Sequence, residues 1–374
     1  MAGVKEKKIE GAVDDCRLKE QGFESGSCRV VYGPERIILT NPLFARACKV
    51  TLKWEGDVPF RLIESAHLSR PEHYFSIYQS GCNFTCKKCH SWYFTQCVSG
   101  QWMSPKDIGE LARDYGQTIT YWEPRERATS FHAHDLCLSC GSCVREKKRS
   151  QDCPGVLEPN QVIFSPQGWG PARNIIGFTG GDLACQPEFY CLASEEVKRE
   201  REDLWVLLET NGYGLTTKNL DRFNSSGIDA FWLDIKAHNN EVHRRLTGCS
   251  NERILELPYE IKKRDFALEV LSLFIPGWVE ADQIEKIAQI LLEVDPQIPY
   301  TILAFFPEYQ LKDVSSPTLK QMLEAYARVK DVGLKNVRLG NIGVFVRTDE
   351  DLELLRKSTT IIEEGRKGAI KNSL

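Results

Sequence analysis

The chain has 374 residues, of which 42% are hydrophobic, and its formal net charge is −4. This length is sufficient for one large and one small domain with a sizeable core, and the charge balance excludes a basic surface for nucleic acid. The charged N-terminus is unlike a signal peptide and the longest apolar runs are too short to span a bilayer, so we expect a cytoplasmic protein that uses no membrane.

Residues 1–70 are predicted to form an N-terminal β-rich segment. Their β-branched and apolar residues occur in short runs with turn residues between them, which is typical of strands. The predicted strands are Arg29–Tyr32, Arg36–Thr40 and Lys49–Trp54.

A regular series of six strands follows in the main domain, residues 71–307. Each strand is a short apolar run, as expected where both faces of a sheet are covered. The predicted strands are Tyr74–Gln79, Asn174–Thr179, Leu204–Thr210, Ala230–Ile235, Leu268–Ile275 and Tyr300–Phe306.

Helical patterns lie between these strands. Ser104–Tyr115 begins with serine followed by proline at the first helical position, and Glu280–Val294 repeats apolar residues at helical spacing. Ser316–Val332 starts at a Ser-Pro pair and stops at Gly333. Alternating strands and helices form parallel βαβ units. We therefore predict an α/β fold, a partial (βα)6 TIM-like barrel whose chemistry collects at the C-terminal ends of its strands.

Two segments interrupt or follow this alternation. Residues 116–172 form a connection so long that a functional or disordered loop is expected, and its cysteines indicate an inserted metal-binding loop. Residues 308–374 are predicted to be a small C-terminal α+β domain. It contains a β-like piece, Asn336–Val346, and a charged helix, Asp349–Glu364.

Fourteen cysteines are many for a protein of a reducing compartment. Half of them lie in two tight clusters, Cys82–Cys89 and Cys137–Cys153, and clustered thiols in such a compartment are typical of metal ligands. The rest are scattered, and we interpret them as mostly buried small hydrophobic residues. These are Cys16, Cys28, Cys48, Cys97, Cys185, Cys191 and Cys249.

The first cluster, Cys82, Cys86 and Cys89, has the spacing C-x3-C-x2-C and follows a predicted strand directly. Three thiolates hold three irons of a four-iron, four-sulfur (4Fe-4S) cluster and leave the fourth iron open. The open iron can chelate the amino and carboxylate groups of S-adenosylmethionine (SAM). A structural zinc site normally needs four ligands, and His90 is a candidate for the fourth, so zinc remains an alternative from this motif alone.

Polar, glycine or proline residues end four of the five predicted strands that follow the cysteines. Each of these short motifs alone is usually a turn, but their shared position at the C-terminal ends of the strands predicts a SAM site. The candidates are Gly180, Gly181 and Asp182 for the SAM ammonium, Glu209 and Asn211 for the ribose, Asp234 and Lys236 for the charged end, and Pro276 near the adenine.

The cysteine triad, the Gly-Gly-Asp step and the Asp-Ile-Lys step resemble the radical SAM superfamily over roughly Tyr74–Pro307. The general resemblance is to its glycyl-radical activating-enzyme branch. It implies reductive cleavage of SAM and release of a deoxyadenosyl radical. Family members usually carry an aromatic residue before the third cysteine to pack the adenine, but this chain has Lys88 there. Adenine contacts would then come from backbone or from Trp92 or Tyr93.

The second cluster, Cys137, Cys140, Cys143 and Cys153, resembles a ferredoxin half-site with a longer final spacing. Four thiolates suit a 4Fe-4S cluster, a single tetrahedral iron or zinc, so the metal stays open. We favour a second iron site that staples the long loop over electron entry or substrate docking, because a second ferredoxin-type quartet is missing.

Taken whole, the chain resembles the methanogenesis marker protein ten family, cobalamin-dependent radical SAM methyltransferases of methanogenic archaea. This resemblance rests on the activating-enzyme-like core, the four-cysteine loop after the first helix, and the short domain after Phe306-Pro307. The resemblance implies methylation of an sp3 arginine carbon in the methyl-coenzyme M reductase alpha subunit. SAM would serve as radical source and as methyl donor to cobalamin, with an electron donor as a further partner.

The same resemblance suggests cofactor contacts outside the core. The Asp-x-His-x-x-Gly cobalamin motif is absent, so cobalamin would bind without a lower histidine on the C-terminal segment, near Phe306, Tyr309 and Arg338–Arg347. Tyr115, at the end of the first helix, is the candidate catalytic residue whose phenolate would ligate the open iron before SAM arrives. Ordinary packing is the alternative for each of these residues.

Two further functions stay open. One is activation of a glycyl radical enzyme, in which the hydrogen is taken from a glycine of a partner protein. The other is an iron–sulfur electron carrier, a more remote possibility because carriers are generally small and have no use for polar residues at successive strand ends.

Overall fold

A ten-stranded sheet organises the residues described by this computed structural model, which are 16–32 and 43–359. The strands, including those of two small hairpins, are β1 (Arg29–Tyr32), β2 (Leu43–Arg46), β3 (Leu52–Glu55), β4 (Val58–Leu68), β5 (Phe75–Gln79), β6 (Gln101–Met103), β7 (Ile163–Ser165), β8 (Gly168–Gly170), β9 (Ile175–Gly180), β10 (Trp205–Thr210), β11 (Ala230–Asp234), β12 (Ala267–Phe274), β13 (Tyr300–Ala304) and β14 (Val337–Gly340).

The helices cover the outer side of this sheet or lie in its connections. They are α1 (Arg17–Glu20), α2 (Ala47–Val50), α3 (Trp92–Thr95), α4 (Pro105–Gly116), α5 (Ala133–Leu136), α6 (Ser142–Arg145), α7 (Pro187–Glu200), α8 (Thr217–Ser225), α9 (Asn240–Thr247), α10 (Leu257–Lys262), α11 (Ala281–Val294), α12 (Leu319–Val332) and α13 (Asp349–Ser358). Within the described ranges, none of them is long and apolar enough to act as a transmembrane helix.

The large sheet has the order β14-β13-β12-β11-β10-β9-β5-β4-β3, with β6 paired to β4. Seven strands, β5 and β9 to β14, run parallel. β3, β4 and β6 add antiparallel strands at one edge. The six predicted barrel strands correspond to β5 and β9 to β13, so the predicted α/β fold with a partial TIM-like barrel is confirmed.

Burial on both faces explains the apolar strands. β12 is buried at every position except Leu273, which is half-buried. α4 begins where it was predicted, because Ser104 accepts a hydrogen bond from the Asp107 amide and the Asp107 carboxylate accepts one from the Ser104 amide. α12 begins three residues later than Ser316, because Thr318 forms the equivalent capping box with Gln321.

The separate C-terminal domain predicted from residue 308 differs from the structure. α12 packs on α11, and β14 pairs with β13, so this part of the chain adds one more βα unit to the barrel. The open edge of a parallel sheet has unpaired backbone groups that a further strand satisfies. β14 is shorter than the predicted Asn336–Val346, and residues 360–364 of the predicted last helix lie outside the described residues.

The N-terminal predictions have mixed outcomes. β1 has the predicted bounds, whereas Arg36–Thr40 lies outside the described residues. The predicted strand Lys49–Trp54 is divided between α2 and β3. Tertiary contacts decide this: Thr51 donates to the Ala47 carbonyl at 2.8 Å, and the buried Arg61 donates to the Thr51 carbonyl at 3.0 Å, which closes a helical turn there.

The long connection after α4 is folded and lies at the N-terminal end of the barrel strands. Arg173, fully buried just before β9, donates to the carbonyls of Thr129 at 2.9 Å and Arg127 at 2.7 Å, and forms an ion pair with buried Glu123 at 3.3 Å. Phe131 donates its amide to Glu269 of β12 at 2.7 Å. The connection therefore closes this end of the barrel.

Candidate active site

The cysteine triad lies on the loop after β5, at the C-terminal ends of the parallel strands. Cys86 is buried, and Cys82 and Cys89 are half-buried. Burial raises the pKa of Cys82 to about 12 and also raises the pKa of Cys86, to which the Cys82 and Cys89 thiols contribute as well. The three thiols are therefore within electrostatic reach of one another.

This donor set fits an iron–sulfur cluster. The three thiols are free, and in a cubane each thiolate binds its own iron. Within the described ranges, no three or more histidine, cysteine, aspartate or glutamate side chains gather at the spacing of a single metal ion. A cluster needs more widely spaced sulfurs than a single ion does, so three neighbouring free thiols suit it.

His90 is engaged away from the triad. Its Nδ1 lies 3.1 Å from Glu308, and its side chain is 76% exposed. In this arrangement His90 does not complete a four-ligand zinc site with the three cysteines.

Asp182 holds the cysteine loop against the neighbouring strands. Its carboxylate is buried and accepts hydrogen bonds from the Thr210 hydroxyl at 2.7 Å and from the amides of Asn211 and Ala184 at 2.8 Å. Its carbonyl accepts from the Asn83 amide at 2.8 Å. This side chain is fully occupied by the protein, so its place in the site is a positioning one.

Asn83 and Asn211 continue this link to the first cysteine. The side-chain nitrogen of Asn211, Nδ2, lies 2.7 Å from Asn83 Oδ1 and 3.7 Å from Cys82 Sγ. Asn83 Nδ2 donates to the Tyr213 carbonyl at 2.6 Å. Sequence reasoning missed Asn83, although it stands directly after the first cysteine of the motif.

The Gly180-Gly181 step lets β9 approach the cysteine loop closely. A side chain at Gly181 would overlap the carbonyl oxygens of Gly81 and Gln79, and Gly180 has a φ of +84°. The Gly181 amide donates to the Gln79 carbonyl at 2.8 Å. Gly181 is needed because backbone packs directly on backbone, and Gly180 because of its positive φ and the Phe94 ring beside it.

Glu209 points toward the inner side of the barrel near this mouth. Its carboxyl accepts from the Tyr74 hydroxyl at 2.7 Å and from the Thr179 hydroxyl. Burial raises the pKa of Glu209 to about 8, and the nearby Glu72 and Glu269 carboxyls add to the increase. A protonated Glu209 can both donate and accept a hydrogen bond, which suits a hydroxylated ligand such as a ribose.

We expect the free energy of unfolding to fall as the pH rises from about 5 to 8. Folded Glu209 keeps its proton over this window, whereas the unfolded carboxyl, with its ordinary pKa of 4.5, has lost it. One such proton changes stability by at most about 1.4 kcal/mol per pH unit. Glu209→Gln removes the ionisation and keeps an acceptor for Tyr74, so its urea-unfolding profile should be flatter. Identical pH slopes in both proteins would contradict this assignment.

Asp234 and Lys236 form an ion pair at the end of β11, beside the triad. Burial opposes protonation of Lys236, but Asp234 and the thiols of Cys86 and Cys89 raise its pKa. Asp234 Oδ1 is buried without a hydrogen-bond partner. The pair thus offers a cation next to the thiols and a free carboxylate oxygen, which suits a zwitterionic ligand at the open side of a cluster.

Pro276 lies at the same end of the barrel, in the turn after β12. Ile275 and Val279 exchange two backbone hydrogen bonds of 2.8 Å across this turn. The neighbouring Trp278 ring packs under Arg245 at 3.7 Å. The turn is therefore a fixed wall of the mouth.

A cap from the segment after β13 covers the cysteine loop. Lys88 is buried, pairs with Glu308 at 2.6 Å and lies 3.5 Å from the centre of the Phe306 ring. Tyr309 stacks on Trp92 with 5.1 Å between ring centres. The predicted cofactor contacts Phe306 and Tyr309 are thus beside the triad, and the lysine at the expected aromatic position is bound by this cap. Glu308 was missed by sequence reasoning.

Tyr115 does not lie near the triad. Its hydroxyl donates to the Arg173 carbonyl, just before β9 begins, and its ring packs on Phe75 at 4.9 Å. β9 has six residues, so roughly 20 Å of strand separates this point from the cysteine loop. The predicted iron-ligand role of Tyr115 is therefore corrected to a packing role, because α4 ends at the opposite end of the barrel.

The second cysteine cluster also lies at that opposite end. The Cys137 carbonyl is 3.2 Å from His73 Nε2, and His73 precedes β5. Burial raises the pKa of Cys137 to about 11, and the thiols of Cys140, Cys143 and Cys153 add to this. The four thiols are within electrostatic reach of one another, and they are remote from the triad.

Arg338, which was predicted to contact cobalamin, belongs to this end as well. Its guanidinium lies 3.3 Å from Asp135 and 3.1 Å from His134 Nδ1, and it stacks on Phe131 at 4.3 Å. All three partners belong to the inserted connection. Arg338 thus anchors that connection inside the barrel, and it is separated from Phe306 and Tyr309.

The sequence profile of the radical SAM superfamily matches residues 165–290. The chain carries a radical SAM domain. The matched span contains β9 to β12 and the steps at Gly181, Glu209, Asp234 and Pro276, while the cysteine triad precedes it.

Curated relatives match part of the chain. A putative glycyl-radical enzyme activating enzyme of Methanocaldococcus jannaschii is 33% identical over 138 residues, covering 36% of this chain and 50% of that protein. An isethionate sulfite-lyase activating enzyme of Oleidesulfovibrio alaskensis is 29% identical over 185 residues, covering 46% and 56%. The chain thus spans about half the length of these relatives.

Solved structures include a domain of a pyruvate-formate lyase-activating enzyme from Bacteroides vulgatus. It is 19% identical, with a TM-score of 0.38, and the match covers 44% of this chain and 97% of that one.

Proposed function

We propose that this radical SAM protein removes a hydrogen atom from a protein substrate. The observation that carries the proposal is the arrangement at one barrel mouth: three free neighbouring thiols, the Asp234–Lys236 pair, and the Gly180-Gly181 step against the cysteine loop. The two curated relatives named above are both activating enzymes by description, and such enzymes act on another protein.

Cys82, Cys86 and Cys89 would hold the cluster, and the mouth beside them would hold SAM. When bound, the cluster supplies the electron that cleaves SAM into methionine and a deoxyadenosyl radical. Lys236 lies near the thiols, and its pKa is raised first by Asp234 and then by Cys86 and Cys89. The Asp182–Asn83 hydrogen bond fixes the start of the cysteine loop.

Activation of a glycyl radical enzyme is the finer function that the relatives support best. The hydrogen would come from a glycine backbone carbon of the partner protein. The cap from Phe306 to Tyr309 lies beside the triad, so the partner would approach the mouth next to it.

Cobalamin-dependent methylation is the second candidate, and one specific observation favours it. Trp92, Tyr93 and Tyr309 form an aromatic surface beside the triad, in which Trp92 is 36% and Tyr93 54% exposed. Tyr309 stacks on Trp92 and Tyr93 meets Trp92 edge-on, and partly exposed rings of this kind can pack against a macrocycle. The two named relatives match 36% and 46% of this chain. On this proposal the substrate is an arginine of the methyl-coenzyme M reductase alpha subunit.

Anaerobic purification with cobalamin available separates the two candidates. The shared proposal predicts deoxyadenosine formation from SAM after reduction, and its absence from cluster-loaded protein would overturn it. About one corrinoid per chain supports methylation, and Tyr309→Ala should then lower corrinoid occupancy while Tyr259→Ala, an exposed tyrosine on α10, should not. A protein that cleaves SAM and holds no corrinoid would leave glycyl-radical activation as the function.

A further inference from the structure

A lysine–glutamate ion pair lies directly beside the third cysteine of the triad. Lys88 immediately precedes Cys89 in the chain, and its ammonium is 2.6 Å from the Glu308 carboxylate. The Lys88 side chain is only 6% exposed, and that of Glu308 is 23% exposed. Two charges held next to a metal ligand and largely away from solvent act on whatever that ligand binds, because little water screens them.

Aromatic rings fix the position of the Lys88 ammonium as well. It lies 3.5 Å from the centre of the Phe306 ring and 5.7 Å from that of Phe305. Both rings belong to the segment after β13 that also carries Glu308. Moving this ammonium into solvent would break its contacts with a carboxylate and with a ring face, so its charge stays beside the cysteine loop.

Other contacts hold the cap on the cysteine loop without either charge. The Gln310 amide donates to the Lys87 carbonyl at 3.1 Å. The Tyr309 ring stacks on Trp92 with 5.1 Å between ring centres. Each charge of the ion pair can therefore be removed by substitution while these contacts keep the two segments together.

A cluster on the triad would respond to both charges. The reduction potential of an iron–sulfur cluster depends on net charge, on hydrogen bonds to its sulfurs and on its exposure to solvent. Reduction adds negative charge to the cluster, so a neighbouring cation favours it and a neighbouring anion opposes it. Lys88 and Glu308 thus act on this step in opposite directions, and their separation of 2.6 Å makes the two effects largely cancel.

We propose that Lys88 and Glu308 set the reduction potential of the triad's cluster as a neutralised charge pair, in which Lys88 favours reduction and Glu308 limits that effect. The inference rests on the proposed function, since it needs a cluster on the three cysteines. The step is the transfer of one electron from a low-potential reductant to the cluster, and no bond to the protein forms or breaks.

Redox titration of the anaerobically purified protein, followed by electron paramagnetic resonance, tests the proposal. Titanium(III) citrate is the reductant, and SAM is left out. Lys88→Met should make the potential more negative and Glu308→Gln should make it more positive. Each shift should correspond to about a tenfold change in the equilibrium constant for reduction, which is about 59 mV for one electron. The double variant should lie close to the unaltered protein.

The opposite signs separate an effect of charge from an effect of structure. Loosening of the cap would expose the cluster to water in both variants and would move both potentials in the same direction. Lys88→Arg keeps the charge and should keep the potential. Shifts of the same sign in the two single variants, or no shift in either, would overturn the proposal. If Lys88→Met does not fold, Glu308→Gln decides alone, and a potential that does not become more positive overturns it.

A second lysine–glutamate pair with similar geometry provides the matched control. Lys53 lies 2.6 Å from Glu55 and 5.0 Å from the ring centres of Phe60 and Trp102, but this pair is exposed at the edge of the sheet, on β3. Lys53→Met and Glu55→Gln should leave the potential unchanged. Cys86→Ser supplies the spectrum of any iron held elsewhere in the chain, which is subtracted from the others.

The potential and SAM cleavage are measured in separate experiments, so the two proposals can fail separately. Opposite shifts in a protein that forms no deoxyadenosine would support the charge pair and overturn the proposed function. Deoxyadenosine formation together with unshifted potentials would support the proposed function and overturn the charge pair.

Discussion

Replacing Cys86 by serine is expected to abolish deoxyadenosine formation and to lower the iron content by about one four-iron cluster per chain. Cys86 is the buried member of the triad, and the other two cysteines of the triad are each needed for an iron of their own. The loss should exceed the roughly 10–100-fold that removal of an outer partner of a metal ligand costs. The measurement is SAM cleavage with a chemical reductant, together with iron and sulfide analysis.

Asn83→Ala supplies a graded comparison for the same site. It removes the hydrogen bonds to Asn211 and to the Tyr213 carbonyl but leaves all three thiols in place. We expect a fall in activity of about 10–100-fold, with the iron content mostly retained. Cys191→Ser is the control and should behave as the unaltered protein. Full iron content and full activity in Cys86→Ser would contradict the assignment of the triad.

Replacing Arg173 by alanine is expected to lower the free energy of unfolding by about 3–5 kcal/mol. The change removes the buried one of the two ionic partners of fully buried Glu123 and leaves only the half-buried Arg127, and Glu123 Oε1 already lacks a hydrogen bond. It also removes donors to the carbonyls of Arg127 and Thr129. Urea unfolding under anaerobic conditions measures the loss.

Two variants control for this interpretation. Arg328→Ala removes an exposed pair with Glu285 and Glu324, which solvent screens, so it should affect unfolding far less. The double variant Arg173→Met/Glu123→Leu removes both fully buried charges, while Arg127 keeps its pair with Asp135, and it should recover much of the stability. A loss in Arg173→Ala no larger than in Arg328→Ala would show that the buried pair does not anchor the connection.

The sequence predicted the barrel well because its strands are covered on both faces. Continuous apolar runs such as β12 can be recognised without knowledge of their neighbours. The capping residues Ser104 and Gly333 could be recognised as helix ends because capping acts within one turn of the chain. The order of these local patterns was enough to give parallel βα units.

The sequence was less informative where distant segments decide the structure. The helix α2 replaces part of a predicted strand because Arg61, ten residues from Thr51, holds that turn. Tyr115 looked available to the triad by chain order, but the direction of α4 carries it to the far end of the barrel. The C-terminal segment looked separate, but the free edge of β13 accepts it as β14.

The sequence by itself determined the fold class, the triad of Cys82, Cys86 and Cys89, and the polar steps at successive strand ends. These depend on spacing within a few residues and on local burial, which a linear pattern records. Only the tertiary structure decided that Asp182 is a buried support and that Glu308 binds Lys88. Such contacts join residues up to 220 positions apart, and the packing of the whole barrel, not any local pattern, brings them together.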